Sequence, residues 1–526
     1  MKQNKKATPA PHQAGRVTRN HEGERAFTMD KYMELYTRVL SSLFGEPKYY
    51  ENATQSDSKL IELVREVAKS DPEFVAGLAI VARNNFYLRT VPQALIAELA
   101  VAHKGDDVVS KAMAKTIRRA DDMTELLAYY GNTYGKSPKP LAKLPKQLKL
   151  GLANVFPRFD AYQLAKYDRD GAVKLRDVLF LSHASPQSKS QALTWKKLID
   201  GTLESPDTWE VALSAAGQAG KSKKYAWESI LAKAEDGKGM GYMAILRNLR
   251  NFVEEKVDPA MYIPILTNPG RVARSKQFPY RFFSAYRELE AVNAPSKVLD
   301  AVIDAMEISV DNIPILPGRT LICADNSGSM DSPVSEKSKV TCRDIANLLT
   351  SIVHRKYPDA VASVFSDNWS IVSMSTRNPI LTNMKRLCDY ITPSSTNTWK
   401  IFTSLAMTRE KFDRVVIFSD MQSWNSNSYS LYSRFATPTV QSEYNKWCSV
   451  IGTKPYVYSV DLHGYGTSDI DPTLPQVHKL AGWSDKVFNY IYAMEKEPDA
   501  IMSDIYMAIN DARAVVADEP DISEME

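Results

Sequence analysis

The hydrophobic pattern of this chain changes its character near residue 319. Before that position, apolar residues recur at helical spacing in short segments, and the alternation typical of strands is hard to find. After it, short apolar runs of strand type alternate with helical segments. A chain of 526 residues is also too long for a single core. The pattern therefore predicts a helical domain followed by an α/β domain.

The helical half consists of many short amphipathic segments joined by brief polar turns. Thr28 is predicted to cap the first helix, and a capping box at 70–73, with Pro72 in the first turn, begins another. Such a chain favours stacked helix pairs of the HEAT type, although no strict sequence period is present. Further helical segments are predicted at 60–67, 91–102, 110–118, 123–130, 195–199, 209–215, 243–252 and 297–306.

The half after residue 319 is predicted to form a doubly wound α/β domain. Strands that alternate with helices form mostly parallel sheets. In such sheets, ligand sites lie beyond the carboxyl ends of the strands, where the loops converge. Strands are expected at 319–325, 360–365, 369–374 and 414–419, and helices at 340–354, 380–391 and 399–408.

A candidate metal site follows the first of these strands. Asp325, Ser327 and Ser329 place a carboxylate and two hydroxyls at alternate positions in one tight loop. Hard oxygen ligands of this kind suit Mg2+, with Mn2+ as an alternative. Asp420 follows a second buried-type strand, and the Thr-rich loop 392–398 lies between them, so three loops are predicted to meet at one ion. The alternative is a solvated turn rich in Asp, Ser and Gly.

The net charge of +4 hides a difference between the two halves. Residues 316–526 contain 20 basic and 25 acidic residues, a net charge of −5, whereas residues 1–315 contain 46 and 37, a net charge of +9. The basic half is therefore predicted to be the half that meets polyanions. An excess of positive charge that only aids solubility is the alternative.

Two basic segments of the first half are the main candidates for nucleic-acid contacts. Lysines in loops suit phosphate contacts, and arginines among aromatic residues suit stacking on unpaired bases. The first segment contains Lys136, Lys139, Lys143, Lys146 and Lys149. The second interleaves aromatic residues with Arg271, Arg274, Lys276 and Arg281. Smaller basic clusters occur at 118–119 and 221–224, and a solvated surface is the alternative for each.

The remaining composition argues against several classes of protein. Four cysteines are widely spaced along the second half and indicate neither a zinc site nor a disulfide framework. The N-terminal residues 1–24 are basic and lack an apolar core segment, so no signal peptide is predicted. No later run is long enough to cross a membrane. A reducing cytoplasm is the expected location.

The second half resembles a von Willebrand factor A domain with a metal-ion-dependent adhesion site. Asp325, Ser327 and Ser329 match the first metal-binding loop of that family. Thr396 matches the threonine of its second loop, and Asp420 matches the aspartate of its third. Thr398 is a weaker match for the second loop, where Ser394 and Ser395 replace the usual glycines. The resemblance implies that these side chains hold a divalent cation. In adhesion-type A domains, a partner's carboxylate completes the coordination of that cation.

The first half resembles the TROVE module of Ro autoantigen proteins. The segments that carry the resemblance are 25–27, 176–183, 241–249 and 278–280. In that family a ring of helical repeats is closed by a C-terminal A domain, and the order of parts here is the same. The resemblance implies a flexible basic tail at 1–24, a TROVE RNA-binding module at 25–315, an A domain at 316–515 and an acidic tail at 516–526.

The Ro resemblance implies an RNA-binding protein rather than an enzyme. Ro proteins hold small structured Y RNAs on the outer face of the ring and take single-stranded 3′ ends of misfolded RNAs into its central hole. A role as an RNA quality-control scaffold is therefore implied, with an exoribonuclease such as polynucleotide phosphorylase as a partner. The family's outer-surface histidine falls on His183, although Phe180 replaces a basic residue usual in animal members. A monomer is expected because one chain would close the ring.

Two other functional classes stay open on the sequence alone. None of the seven histidines lies in a metalloprotease or paired zinc-ligand motif, and 327–329 lacks the first glycine of a hydrolase nucleophile elbow. Asp325 and Asp420 could hold a metal for phosphodiester cleavage, but the loops lack the carboxylate density of two-metal nucleases. The main alternative is a metal-dependent protein-adhesion module whose helical half binds protein.

Overall fold

The computed structural model describes residues 15–41, 51–135, 144–205, 208–220, 222–235, 240–277, 279–310, 313–334, 338–357, 359–390, 395–424, 438–483, 486–497 and 499–514. These residues form two compact units. The α/β unit takes its described residues from 15–41, 51–56 and 314–483, and the helical unit takes them from 57–313 and 486–514.

The secondary structure confirms the predicted fold class, with a helical first half and a mostly parallel sheet in the second. The helices are α1 (Lys31–Leu40), α2 (Ala53–Ser70), α3 (Pro72–Asn84), α4 (Thr90–Ala102), α5 (Val108–Thr116), α6 (Ala120–Tyr134), α7 (Lys146–Val155), α8 (Ala161–Tyr167), α9 (Leu175–Ser182), α10 (Lys189–Asp200), α11 (Trp209–Gln218), α12 (Lys223–Glu235), α13 (Tyr242–Glu254), α14 (Ile263–Leu266), α15 (Pro269–Ser275), α16 (Pro279–Ala291), α17 (Ser296–Ser309), α18 (Cys342–Lys356), α19 (Ile380–Cys388), α20 (Trp399–Thr408), α21 (Val440–Ile451), α22 (Lys486–Met494) and α23 (Ala500–Ala514).

The strands are β1 (Val17–Arg19), β2 (Arg25–Thr28), β3 (Thr320–Asp325), β4 (Ala360–Phe365), β5 (Trp369–Ile371), β6 (Arg414–Ser419), β7 (Tyr456–Asp461), β8 (Thr467–Ser468) and β9 (Val477–Ala481). Single 3-10 turns cover Phe156–Arg158, Pro259–Met261 and Gly328–Asp331. Within the described residues, no helix has both the length and the apolar character needed to cross a bilayer.

The first helices of the helical unit stack in two rows. In one row α3 packs on α5 and α5 on α7, and in the other α4 packs on α6, while α9 packs on both α7 and α6. Each helix thus buries its apolar stripe against the equivalent helix of the next pair, which is the packing of helical-repeat proteins. The stacked helix pairs agree with the predicted repeat architecture. Closure of the repeats into a ring stays a prediction.

The C-terminal helix α23 belongs to the helical unit rather than to the α/β unit. Its backbone approaches α3 so closely that a Cβ at Gly77 would overlap the carbonyl oxygen of Ile505. The Tyr506 hydroxyl donates to Asp71 Oδ2 at 2.7 Å, and the Arg513 guanidinium lies 2.6 Å from a Glu73 carboxylate oxygen. The predicted segment 316–515 therefore does not form one compact body, because its last two helices pack on the repeats.

Two helices have their N-terminal caps close to the predicted residues but not at them. Asp30, not Thr28, caps α1, and its carboxylate accepts from the Tyr32 and Met33 amides. At α3 the cap is Asp71, which accepts from the Phe74 amide at 3.0 Å. A carboxylate is favoured at these positions because it accepts amide hydrogens that lack an intrahelical partner and also interacts with the positive end of the helix dipole.

The main sheet has the strand order β5-β4-β3-β6-β7-β9, and β5 alone runs antiparallel to its neighbour. The chain winds outward from β3 in one direction and then returns to continue from β6 in the other. The topological switch point therefore lies between β3 and β6, which pair from Thr320–Arg414 to Ala324–Phe418. In doubly wound sheets a ligand site opens at the carboxyl ends of the two strands at this point.

Helices cover both faces of this sheet. Leu321 and Cys323 point to a core formed with α20 and α21, in which Phe402 packs against Trp447 with ring centroids 5.8 Å apart. Ile322 lies on the opposite face, because side chains alternate along a strand, and α18 packs there on β3 and β4. Each large apolar side chain fully buried in this way contributes roughly 1.5–3 kcal/mol. Continuous burial on both faces explains the unbroken apolar runs of β3 and β6.

The N-terminal residues from 15 onward are part of the α/β unit. β1, β2 and β8 form a small antiparallel sheet, in which Phe27 pairs with Ser468. The sequence pattern missed β1 and β2 because such short strands leave no alternation long enough to detect. Residues 15–24 were predicted to be a flexible tail, but the structure pairs Val17–Arg19 with Arg25–Phe27. Residues 1–14 of this predicted tail and the whole predicted acidic tail at 516–526 lie outside the described residues.

Candidate cation centre and nucleic-acid faces

The predicted cation ligands meet at the switch point of the sheet. Asp325 is the last residue of β3, and Asp420 directly follows the neighbouring parallel strand β6. Both carboxylates are fully buried. The sheet therefore brings together two acidic side chains that are 95 positions apart in the sequence, as predicted.

The first loop is built around the Asp325 carboxylate. Its Oδ1 accepts from the Ser327 amide at 2.9 Å, and its Oδ2 accepts from the Ser419 hydroxyl at 2.6 Å. Ser327 then precedes the 3-10 turn, and its Oγ lies 3.4 Å from Ser329 Oγ. Both hydroxyls of the motif are thereby held on the same side of the loop as the carboxylate.

Neighbouring side chains fix this loop from two sides. The Asn326 amide nitrogen donates to the Leu387 carbonyl at 3.0 Å, and its oxygen accepts from Asn347 at 2.7 Å. Arg343 of α18 donates to the Ser327 carbonyl at 3.3 Å and to Asp331 at 2.6 Å. The loop is thus preorganised by the protein alone.

The second carboxylate is only partly satisfied by the protein. Asp420 Oδ1 accepts from the Gln422 amide at 3.1 Å, and the carboxylate also accepts from the Ser329 hydroxyl. Its Oδ2 has no hydrogen-bond partner among the described residues. Burial first, and the nearby Asp325 charge second, raise the pKa of Asp420 well above its ordinary value. Burial likewise raises the pKa of Asp325.

The threonine loop joins the site through Ser423 and Trp424. The Trp424 amide donates to the Thr396 carbonyl at 2.9 Å, so Thr396 is held beside the loop that follows Asp420. Thr398 lies 2.8 Å from the Ser423 hydroxyl, which is 2.6 Å from Asp469 Oδ2. A carboxylate only accepts, so Ser423 donates to Asp469 and receives a hydrogen bond from Thr398. Thr398 is therefore engaged in this chain of hydrogen bonds.

The sequence pattern missed several residues that surround the site. Asp469 and Asp461 are buried and face it, and each has one carboxylate oxygen without a partner among the described residues. Asp461 could have been found by the rule used for Asp325, because it also ends a buried strand. Asn20, which donates to the Ser423 carbonyl at 2.6 Å, has no local signal.

These residues fit a small divalent cation. Two buried carboxylates with raised pKa values repel each other, and Asp420 Oδ2 is an unused hard oxygen acceptor. No group of three or more His, Cys, Asp or Glu side chains suited to a metal occurs in the described part of the chain. An ion here would therefore depend on hydroxyls in addition to the two carboxylates, as Mg2+ accepts.

The first predicted RNA segment continues into helix α7. Lys146 is exposed and Lys149 half-buried on this helix, which packs against α9. Lys136, Lys139 and Lys143 lie outside the described residues. Helix α9 ends at His183, an exposed residue with a left-handed backbone (φ 56°).

Two exposed side chains share one face of α9, and a third follows the end of the helix. Arg176 and Phe180 are four residues apart within α9, which places them on one side of the helix, and His183 is the left-handed residue directly after its last turn. Phe180 is 57% exposed, an unusual state for a phenylalanine. Arg176 was not among the predicted site residues, although it lies in the motif that contains His183. A guanidinium and an aromatic ring are therefore presented together, with an exposed imidazole at the end of the same helix.

The second predicted segment spans the end of α15 and the start of α16. Arg274, Lys276 and Arg281 are exposed, and the Arg281 guanidinium lies over the Tyr280 ring, 4.8 Å from its centroid. Arg271 differs from the other three because it donates to the Ala234 carbonyl in the last turn of α12 at 2.8 Å. That contact gives Arg271 a structural role, since it supplies a hydrogen bond to a carbonyl at a helix end.

Comparison with known proteins agrees with this architecture. A model of the TROVE domain matches residues 20–201 and 194–302, which is more than half of the chain. The chain therefore belongs to the TROVE-domain family, and the predicted resemblance to Ro proteins is confirmed.

The individual relatives differ in how much of the chain they share. RNA-binding protein RO60 of Deinococcus radiodurans is 21% identical over 527 residues, covering 91% of this chain and 96% of that protein. Telomerase protein component 1 of Mus musculus is 22% identical over 346 residues, which cover 50% of this chain and only 13% of the mouse protein. The crystal structure of the Deinococcus radiodurans RO protein (RSR) has a TM-score of 0.60 at 18% identity. It covers 93% of this chain and all of that chain, and shows a shared fold.

Proposed function

We propose that this chain is a Ro-type RNA-binding protein that holds a small structured RNA on its helical unit and also captures single-stranded 3′ ends. The observation that carries the proposal is helix α9, which exposes Arg176 and Phe180 on one side and His183 at its end, and which packs against α7 with Lys146 and Lys149. Membership of the TROVE-domain family and the similarity to a protein named RNA-binding protein RO60 support it.

The α7–α9 face, defined as Lys146, Lys149, Arg176, Phe180 and His183, has the chemistry to bind a folded RNA. The cationic groups would neutralise phosphates of a helical stem, which gives affinity without reading the sequence. Phe180 and His183 would stack on bases of a bulge or loop, where bases are unpaired. Such a face suits a small hairpin RNA of the Y type.

The α15–α16 face, defined as Arg274, Lys276, Tyr280 and Arg281, suits a single strand better. Exposed cations follow each other along the chain here, and one guanidinium already stacks on an aromatic ring. Stacking platforms combined with basic groups bind single strands with little sequence preference. If the repeats close into a ring, this face would take free 3′ ends of misfolded RNAs, in an assembly that includes an exoribonuclease such as polynucleotide phosphorylase.

We also propose that the α/β unit holds one Mg2+ ion, with Mn2+ as a substitute. Asp325, Ser327, Ser329, Thr396 and Asp420 would hold it, and Asp420 Oδ2 is the oxygen that lacks another partner. When bound, the ion supplies positive charge that neutralises the two carboxylates. Asn326 and Arg343 hold the loop in shape, so the ion would not have to order it.

A binding protein fits these features better than an enzyme or an adhesion module. All five candidate ligands are at most 5% exposed, which leaves little of their surface to a partner's carboxylate or to a substrate. The RNA faces are exposed side chains on helices and have no enclosed group of acids and bases. We further propose a monomer in a reducing cytoplasm, where the four free cysteines would persist.

The test is UV crosslinking of the protein in its own cells, followed by sequencing of the attached RNA. We expect one abundant small hairpin RNA together with scattered 3′-end fragments. Recovery of no RNA above the background of an untagged strain would overturn the proposal and favour the metal-dependent protein-adhesion module.

A further inference from the structure

A cleft in the helical unit has no part in either proposed RNA face. Its volume is about 390 Å3, and it lies where the C-terminal end of α3 meets α22 and α23. Its lining includes three asparagines, two tyrosines and one aspartate. A cleft of this size is within the range of small-ligand sites and admits one flat ring system with its sugar.

The floor of the cleft is a fixed aromatic surface. The buried ring of Tyr490 stacks on Phe86, with parallel planes and centroids 5.8 Å apart. The Tyr490 hydroxyl is hydrogen-bonded to the side chains of Asn85 and Asp504, and its burial raises its pKa. The floor is therefore held by both packing and hydrogen bonds.

One wall of the cleft is a strained tyrosine. Tyr87 has φ +56°, a left-handed backbone that bulky residues rarely adopt, and its side chain is 37% exposed. Such strain costs on the order of 1–3 kcal/mol and persists where the surrounding structure enforces it. Here it keeps a broad aromatic face at the edge of the cleft.

The hydrogen-bonding groups of the cleft are oriented. The Asn84 side chain accepts from Arg118 at 3.0 Å and donates to the Lys115 carbonyl at 3.3 Å, so its amide cannot turn over freely. Asn489 and Asp504 are exposed on α22 and α23. Together they offer amide donors, amide acceptors and a carboxylate, which match the mixed edge of a nucleobase.

A cation completes the arrangement. Arg118 belongs to the basic pair 118–119, which neither RNA face includes, and its hydrogen bond to Asn84 places the guanidinium beside the cleft. An aromatic face, mixed hydrogen-bonding groups and a guanidinium correspond in turn to the ring, the edge and the phosphate of a nucleotide. Polar and apolar atoms contribute about equally to the lining, which suits an aromatic ring with a hydrogen-bonding edge better than a purely aliphatic ligand.

We infer that this cleft binds one unpaired nucleobase of an RNA strand, with the base against Tyr87 and its edge on Asn489 and Asp504. The inference rests on the proposed RNA-binding function and adds a third RNA contact to it. A free mononucleotide offers the same chemistry, and the experiment separates the two sources.

The test compares variants of the full chain for binding of a fluorescent single-stranded RNA of mixed sequence. Loss of stacking on one base predicts about a tenfold weaker affinity for Tyr87→Ala, and Asn489→Ala is expected to fall by several-fold. Tyr87→Phe keeps the ring and is expected to bind like the unaltered protein. The matched control is Tyr492→Ala, another 37% exposed tyrosine, which lies on α22 outside the cleft lining.

Thermal unfolding of each variant checks that the fold is kept. If the unaltered protein binds RNA and both Tyr87→Ala and Asn489→Ala bind it with unchanged affinity, the inferred nucleobase site in the cleft is wrong. The proposed RNA-binding function would not be affected by that result. Absence of RNA binding by the unaltered protein would remove the proposed function itself. Full competition by millimolar adenosine or guanosine monophosphate, with the Tyr87→Ala effect seen only on the mononucleotide, would assign the cleft to free nucleotides and overturn the inference.

Discussion

The two units of this protein place their functional side chains in opposite environments. In the α/β unit, the candidate cation ligands are buried at the switch point of a sheet, and the acids there have raised pKa values. In the helical unit, the candidate RNA contacts are exposed or half-buried side chains on helices and at their ends. The first site is built by the topology of the sheet, whereas the second depends on which residues happen to share a helix face.

The two environments predict different responses to ligand binding. Buried carboxylates that repel each other are costly without a cation or protons, so the α/β unit should gain stability when it binds an ion. Exposed cations cost little without a ligand, so the helical unit should gain affinity but depend strongly on salt. The contrast between a buried cation site and exposed RNA contacts can be tested on each unit separately.

The largest effect is expected on the α7–α9 face. Reversal of three charges, in Lys146→Glu with Lys149→Glu and Arg176→Glu, should weaken binding of a hairpin RNA roughly a thousandfold, at about 1.5 kcal/mol for each charged contact. The salt dependence of the affinity should become shallower by about one unit of slope per lost contact. Filter binding at several salt concentrations measures both.

The control for this triple variant has the same change in charge. Lys69, Lys104 and Lys297 are exposed lysines of the same unit outside the predicted segments. Reversal of these three should leave most of the affinity intact. Equal losses in the two triple variants would show that only the net charge of the unit matters.

The next effect concerns pH and the α/β unit. Burial raises the pKa of Asp469 to about 6, above its ordinary value of 3.8. The folded protein then binds this proton more tightly than the unfolded chain does. The contribution of Asp469 to the free energy of unfolding should therefore be greatest below pH 4 and should fall by about 3 kcal/mol as the pH rises from 4 through 6.

Asp469→Asn removes that dependence while keeping an oxygen that can accept from Ser423. Denaturant unfolding in EDTA at pH 4.5 and pH 7 should show a smaller difference for this variant than for the unaltered protein. Asp359→Asn, at an exposed position of the same unit, is the control. An unchanged pH dependence in Asp469→Asn would place the titrating group elsewhere.

Cation binding gives a slightly smaller change in stability. Mg2+ at a hundred times its dissociation constant should stabilise the protein by about 2.7 kcal/mol. Asp420→Asn should abolish that gain and yet make the metal-free protein no less stable, because one of two repelling carboxylates becomes neutral. Thermal unfolding with Mg2+ and with EDTA measures both, and retention of the Mg2+ gain would contradict the assigned ligands.

The smallest effect distinguishes the two RNA faces. Arg274→Glu with Arg281→Glu should weaken binding of a single strand about tenfold while changing hairpin binding much less, since these residues form the α15–α16 face. Competition assays with the two RNAs give the ratio, and Lys104→Glu with Lys297→Glu is the control. The same loss of affinity for both RNAs would show that the two faces act as one binding surface.

The approach of the two candidate acidic ligands could be predicted from sequence. Asp325 and Asp420 each follow a buried strand, and parallel strands bring their carboxyl ends to one edge. Asp469 and Asn20 could not be found in this way because they approach the site from a distant loop and from the N-terminal segment. No local pattern reports such contacts.

The helical unit was harder to predict below the level of fold class. The helices follow from their apolar periodicity, but the sequence does not show which basic side chains stay available. Arg271 resembled its neighbours and yet satisfies a carbonyl of α12. Arg176 lay inside a recognised motif, and its place beside Phe180 follows only from the helix that the structure describes.

The most direct test of the account is to map UV crosslinks between the purified protein and a hairpin RNA with a single-stranded 3′ tail, using mass spectrometry of the attached peptides. The account predicts crosslinks in peptides of α7, α9 and α16, unchanged by EDTA. Crosslinks confined to peptides of 320–483 and abolished by EDTA would contradict it.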